Sequence, residues 1–354
     1  MRAYRFRNER LYRRRRVFIL TLLTVLILAA AYFMFRDNLP FVGSSPTPTS
    51  SPGSSASPTG QASPSPSETP AETPTPTPDA PKGTQTSDHG FLPAMGSYPE
   101  TGKMGELETL IKDYIGKQSG KYGVTFIDLA SGESVSIDDK EEYIAASTSK
   151  LPMNVLLYTK IASGEIDPDS KLQYLKEDFE AGTGVIQNSA YGTEYTVRET
   201  SRLSVVTSDN CGINMIIRTL GIENIRQYIL DLGGVVYYGK THRSCPYDMA
   251  LVSQELYRLY REKPEVYGEL ITNLENTNWS DRIDAQLPDS VKVAHKIGNQ
   301  TRTANDVGIV FASRPYVLSV MTDSVDFGTA CTKIAELSRM IYDFVEEYHV
   351  SNLP

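Results

Sequence analysis

Hydrophobic and polar residues follow three different rhythms along this chain of 354 residues. Val17 to Phe35 is an unbroken apolar run without a charge. At about 1.5 Å rise per residue it reaches roughly 28 Å as a helix, close to the hydrocarbon core of a bilayer. From Gly43 to Gly90 large apolar residues almost vanish, and eleven of the 21 prolines lie between Pro46 and Pro81 among serines and threonines. Beyond residue 97 periodicity takes over. Leu107, Leu110, Ile111 and Ile115 share one face of a helix predicted over 105–116. Tyr122 to Leu129 alternates as a strand, turns at Ser131-Gly132 and returns through Glu133 to Ile137, a hairpin. A helix begins at Ala145, tolerates Pro152 in its first turn and runs to about Ala162. Between Asp167 and about Thr277 the pattern gives several helices separated by loops. Val291 to Lys296 then alternates as a strand, Val307–Ala312 and Tyr316–Thr322 form a second hairpin, and Thr329–Tyr348 closes as a helix. Strands at both ends with helices between them predict an α/β (α+β) domain with one all-helical lobe.

Charge gives these segments a direction. The first 36 residues hold nine arginines against one acid, Glu9, so the positive-inside rule keeps residues 1–16 cytoplasmic and sends the rest outward. Residues 17–35 are therefore expected to be an uncleaved transmembrane signal-anchor. Ala29-Ala30-Ala31 offers small residues for cleavage, but the apolar run continues past them. Residues 36–96 read as a disordered Pro/Ser/Thr spacer, since they cannot bury a core. Residues 97–354 suffice for one large domain. The expected location is a single-pass protein of the cell membrane with its C-terminal domain on the cell-wall side. The chain carries −8 overall and +8 in residues 1–36, leaving −16 on the exported part, which argues against nucleic acid as a partner. Cys211, Cys245 and Cys331 are odd in number and have no zinc spacing. Cys211 and Cys245 are a candidate bridge in an oxidising compartment. No cofactor or metal is expected.

Three short motifs carry candidate chemistry. In Ser147-Thr148-Ser149-Lys150 the i,i+3 spacing at a helix start puts a hydroxyl and an amine one turn apart on one face. The Ser147 N–H can form half of an oxyanion hole, and Lys150 can act as base if burial depresses its pKa. Ser208-Asp209-Asn210 and Lys296-Ile297-Gly298 follow in order. Alone, the first motif is a chance pattern, the second a loop or helix cap and the third a solvated strand.

Together they resemble the active site of class A β-lactamases and related penicillin-binding serine hydrolases. Tyr143-Ile144-Ala145-Ala146 before Ser147, Leu151-Pro152-Met153 after Lys150, and Tyr195-Thr196-Val197-Arg198-Glu199 ahead of Ser208 add to the resemblance. It covers the whole C-terminal domain and implies an antiparallel sheet flanked by helices, with the site in the cleft beside an all-helical lobe. Carried over by position, Ser147 is the nucleophile and Lys150 its base. Ser208 passes a proton to the leaving nitrogen, and Lys296 lowers the pKa of Lys150 and attracts a substrate carboxylate. Asn210 holds the substrate amide, Gly298 lets substrate lie along the strand, and Asn299 supplies the second oxyanion N–H.

The departures concern turnover. Ile297 stands where that family has a carboxylate-binding Thr or Ser. The stretch Leu232–Pro246 holds no Asp or Glu, whereas hydrolysing members carry there a Glu that activates the deacylating water. His242 is a candidate substitute base, though it reads first as a surface residue. Val307 precedes Gly308 where a cation is usual, and Arg302 is a candidate replacement. The expected function is a membrane-anchored serine hydrolase acylated at Ser147 by a β-lactam or a peptidoglycan stem peptide, slow or deficient in deacylation. The alternatives are a non-catalytic module or sensor that binds peptidoglycan or β-lactams, and a D,D-carboxypeptidase.

Overall fold

A computed structural model of the chain describes residues 102–236 and 242–351. The expected cytoplasmic tail, anchor and spacer lie outside these residues. Among the described residues no helix is long and apolar enough to cross a membrane.

Seven of the eight residues of β1 (Lys121–Asp128) are buried, which requires cover on both faces of its sheet. The sheet is antiparallel, in the order β2 (Ser134–Ile137), β1, β9 (Tyr316–Asp323), β8 (Thr303–Phe311), β7 (Lys292–Gln300). Pairs such as Val124 with Val320 and Val307 with Ser319 set its register. Alternate residues divide between two cores. Val124, Phe126, Leu318 and Val320 pack with Leu107 and Ile111 of α1 (Met104–Ile115) and with Ile334, Leu337 and Ile341 of α8 (Phe327–Ser351). Ile127, Ile309, Val317 and Met321 face the other way, toward α2 (Lys150–Ala162), α6 (Pro246–Glu262) and α7 (Pro264–Glu275).

The remaining helices form the second lobe. Leu156 and Leu157 of α2 pack with Val197 of α3 (Val197–Val206), Ile213 and Ile216 of α4 (Asn210–Leu220) and Ile225 of α5 (Ile222–Asp231). Thr196 caps α3 by accepting the Glu199 N–H at 3.0 Å, and Pro246 opens α6 where a missing N–H costs nothing. Two small ribbons complete the fold: β3 (Tyr143–Ile144) pairs with β6 (Arg243–Ser244), and β4 (Lys171–Gln173) with β5 (Glu194–Thr196).

The sheet extends beyond its predicted ends. β7 continues to Gln300 rather than Lys296, and β8 starts at Thr303 rather than Val307. The extra residues include Asn305 and Asp306, both fully buried, so the alternation that marks a half-solvated strand is missing there.

Candidate active site

The chain enters the cleft from β3. The Ala145 N–H donates to the His242 carbonyl at 2.8 Å, and Ala146 then adopts a left-handed φ of 47°. A residue with a Cβ is uncommon there and costs on the order of 1–3 kcal/mol. Ala146–Ser149 forms one 3₁₀ turn, closed by the Thr148 hydroxyl on the Ala145 carbonyl at 2.7 Å, and α2 begins only at Lys150. The predicted helix start is thus tighter than an α-helix. Ser147 is half-buried, one turn before the buried Lys150.

Ser208 also has a left-handed φ, of 53°, in the turn between α3 and α4. Its hydroxyl lies 3.1 Å from Lys150 Nζ and 3.1 Å from Lys296 Nζ, so one oxygen is within hydrogen-bond reach of two buried amines. Lys150 Nζ also donates to the Ser208 carbonyl at 2.5 Å and to Asn210 Oδ1 at 2.7 Å. Burial lowers the Lys150 pKa to about 8, against Glu180, Asp209 and Cys211, which favour its charged form. Burial and the neighbouring Lys150 drive Lys296 well below the usual lysine range. Desolvation is the main cause at both lysines, and the repulsion between the two buried amines acts in the same direction.

Asp209 holds this turn. It accepts the Gly212 N–H at 2.9 Å as the cap of α4, and also the Val185 and Ile186 N–H groups at 2.5 and 2.9 Å. Gly184, at φ 102°, admits that approach: a Cβ there would lie 2.2 Å from the Asp209 carboxylate. The Thr183 hydroxyl donates to the Ser208 carbonyl at 2.6 Å. Behind Lys150, Asn154 bonds the Lys150 carbonyl at 2.8 Å and accepts from Ser201 at 2.7 Å, tying α2 to α3.

The opposite wall is the free edge of β7. A Cβ on Gly298 would sit 2.6 Å from the Ala145 carbonyl, so glycine is needed for β7 to lie against the nucleophile turn, apart from any room it leaves for substrate. Asn305 of β8 donates to the Ile144 carbonyl at 2.7 Å and accepts the Thr322 N–H at 2.9 Å, fixing that turn to the sheet. His295 pairs with Asp306 at 2.9 Å. Burial alone would lower the His295 pKa, but the carboxylate raises it above the usual histidine value while Asp306 is lowered. Ile297 is buried at 2% exposure and brings no hydroxyl to the site. Asn299 is exposed, and its Oδ1 accepts from Arg282 Nη2 at 2.5 Å.

Sequence reasoning missed Arg282. It lies fully buried between α7 and β7, its Nε directed to Cys331 Sγ at 3.2 Å and its Nη1 without a hydrogen-bond acceptor. Only its place 14 residues before Lys296 was visible, and arginine in a loop predicts solvent. Arg302, the expected cation, instead occupies the exposed β7–β8 turn and donates to the Ser324 carbonyl at 3.2 Å. His242 contributes its backbone carbonyl, and it is exposed. All three cysteines are buried and no disulfide joins them, so the candidate Cys211–Cys245 bridge is not formed. Among the described residues no group of three His, Cys, Asp or Glu side chains could hold a metal ion.

The fold and this cleft define a β-lactamase-like serine hydrolase domain of the superfamily that includes penicillin-binding proteins. Residues 106–345 match the family described as "Beta-lactamase enzyme family", and the chain belongs to it. A β-lactamase of Streptomyces albus G is 27% identical over 253 residues, covering 63% of this chain and 78% of that protein. Solved structures show the same fold. A mutant of PBP-A in acyl-enzyme complex with penicillin G is similar at a TM-score of 0.64 and 23% identity, covering 69% of this chain and 97% of that one. A β-lactamase from Sphaerobacter thermophilus is similar at a TM-score of 0.59 and 22% identity, covering 66% and 94%.

Proposed function

We propose that this chain is a membrane-anchored, extracytoplasmic serine acyltransferase-hydrolase whose Ser147 is acylated by a β-lactam or a cell-wall peptide, and whose acyl-enzyme persists. The observation that carries the reading is the Ser208 hydroxyl held between Lys150 and Lys296 at 3.1 Å each. Two buried amines on one hydroxyl form a proton relay, because each can pass a proton through that oxygen.

The steps follow from the groups present. Neutral Lys150 takes the Ser147 proton as Oγ attacks the carbonyl carbon, and the oxyanion is met by the N–H groups of Ser147 and Asn299. As the tetrahedral intermediate collapses, its C–N bond breaks and the proton travels from Lys150 through Ser208 to the departing nitrogen. Asn210 orients the acyl-side amide. Lys296 and Arg282 attract a substrate carboxylate, a task the buried Ile297 leaves to charge alone. PBP-A, which shares the fold, has been obtained as an acyl-enzyme with penicillin G in a mutant form. Deacylation needs a base for water on the far side of the ester, and Leu232–Pro246 carries no carboxylate. The arginine-flanked apolar run at 17–35 supports the anchor, and the proline-rich stretch a spacer between membrane and domain.

The test is intact mass against time with benzylpenicillin. A penicilloyl adduct that outlasts the free drug on the wild type, and is absent from Ser147→Ala, is the expected result. Rapid drug turnover would overturn slow deacylation. Absence of any adduct and of drug loss would favour a binding module.

A further inference from the structure

His295 stands next to Lys296 on β7 but faces the other way, because successive strand residues point to opposite sides of a sheet. Val293, on the same side two residues earlier, packs in the core under α8, and His295 is buried there too. Its Nδ1 lies 2.9 Å from each oxygen of Asp306 on β8, a residue that is fully buried. Its Nε2 lies 3.8 Å from Asp284 Oδ1, on the loop before β7, and that oxygen has no hydrogen-bond partner. A neutral imidazole carries one N–H and can serve one carboxylate. Two carboxylates on its two nitrogens call for the imidazolium, a donor at both ends.

The segment held in this way is the one that carries Arg282. Ile283 donates its N–H to Asp306 Oδ2 at 3.1 Å, and its carbonyl accepts from Ser338 Oγ of α8 at 2.7 Å. His295 adds a third tether at Asp284, two residues after Arg282. The guanidinium itself has weak moorings: it reaches Asn299 Oδ1 and Cys331 Sγ, and its Nη1 has no hydrogen-bond acceptor. Three charged groups act on the imidazole. Asp306 from β8 and Asp284 from the loop favour its charged form, and Lys296 on its own strand opposes it. Arg282 acts on Asp306 instead, and Cys331 of α8 is engaged by Arg282.

We infer that His295 is a positioning residue for the substrate carboxylate: as an imidazolium it clips the Arg282 segment to β7 and β8 through Asp284 and Asp306, and recognition weakens when the clip opens. This rests on the proposed attraction of a substrate carboxylate by Lys296 and Arg282. Burial opposes the charge on His295, but the two carboxylates prevail and raise its pKa above the usual histidine value. The clip is therefore closed below that raised value and opens as pH climbs through it, leaving Asp284 and Asp306 beside a neutral ring. Burial raises the Asp284 pKa as well, so the clip opens again in acid, once that carboxylate takes up a proton.

The test is calorimetric binding of benzylpenicillin and of its methyl ester to the full-length Ser147→Ala protein in mild detergent, from pH 6 to pH 9. The ratio of the two affinities reports the carboxylate, whereas a merely loosened fold would weaken both ligands alike. The ratio should favour the acid at pH 6 and fall about tenfold by pH 9, the worth of one hydrogen bond to a charged group. The lysines of the cleft lose charge over the same interval, so His295→Gln and, separately, Asp284→Asn isolate the clip. Each should lower the ratio at pH 6 and flatten its fall. Asp284 is partly exposed, which keeps the comparison available if His295→Gln does not fold. No preference for the acid at any pH, or a curve in either folded variant that superimposes on that of the parent, would overturn the inference. Penicilloyl labelling of the wild type is read separately by mass. Its failure overturns acylation at Ser147 and leaves the affinity ratio intact.

Discussion

The two flanks of the cleft use carboxylates in the same way and end with opposite chemistry. On one flank Asp209 gathers three backbone N–H groups and so fixes the turn that presents Ser208 to both lysines. On the other flank Asp248 of α6 accepts the N–H groups of Val235 and Val236 at 2.7 and 3.2 Å, pinning the chain that leaves α5. Burial raises the Asp248 pKa, and those two amides hold it back. Asp209 organises titratable groups that face the cleft. Asp248 organises a short segment that carries no acid of its own. Both segments are held rigid, and only the first lies beside the titratable groups Lys150 and Lys296.

Breaking the equipped wall should have the largest effect. Lys150→Ala should slow penicilloyl formation about a thousandfold, the range of a lost general base, while Ser147 remains in place; stopped mass sampling reads it. Next comes proton occupancy. Lys150 is half neutral near pH 8 and loses its free-base form as pH falls, so the acylation rate should drop roughly fiftyfold from pH 8 to pH 6. A flat profile over that interval would remove Lys150 as the base. Ile297→Thr restores a hydroxyl at the strand edge and should tighten penicillin binding about tenfold, the worth of a hydrogen bond to a charged group, with little change in adduct lifetime. A shortened lifetime would mean that the second wall was not the bottleneck. The smallest effect is expected from Asp248→Asn. Loss of charge on amide-accepting oxygens should cost about 1–2 kcal/mol in thermal or urea unfolding and leave Lys150 chemistry in place. A collapse of acylation there would tie the two walls together.

Much of this comparison is legible from sequence for an asymmetric reason. Lys150, Ser208, Asn210 and Lys296 come together, with Ser147 one turn before Lys150, because the elements that carry them have plain apolar periodicity. The supports are not legible. Arg282 lies in a loop without pattern, and Asn305 and Asp306 interrupt the alternation of β8 with polar residues whose partners, the Ile144 carbonyl and His295, are brought by other elements. Arg302, the candidate replacement for a cation at Val307, sits in the exposed β7–β8 turn.

The contact between Gly298 and the Ala145 carbonyl bears on how such a motif can drift over evolutionary time. The middle letter of Lys296-Ile297-Gly298 can change what the cleft attracts and leave the backbone where it is. The last letter cannot change without prising the strand from the turn beneath it. Selection for a new acyl donor can work through position 297 by single steps, whereas position 298 is closed to every side chain at once. Isoleucine at the first and glycine at the second keep β7 seated on the nucleophile turn and leave no hydroxyl at the strand edge.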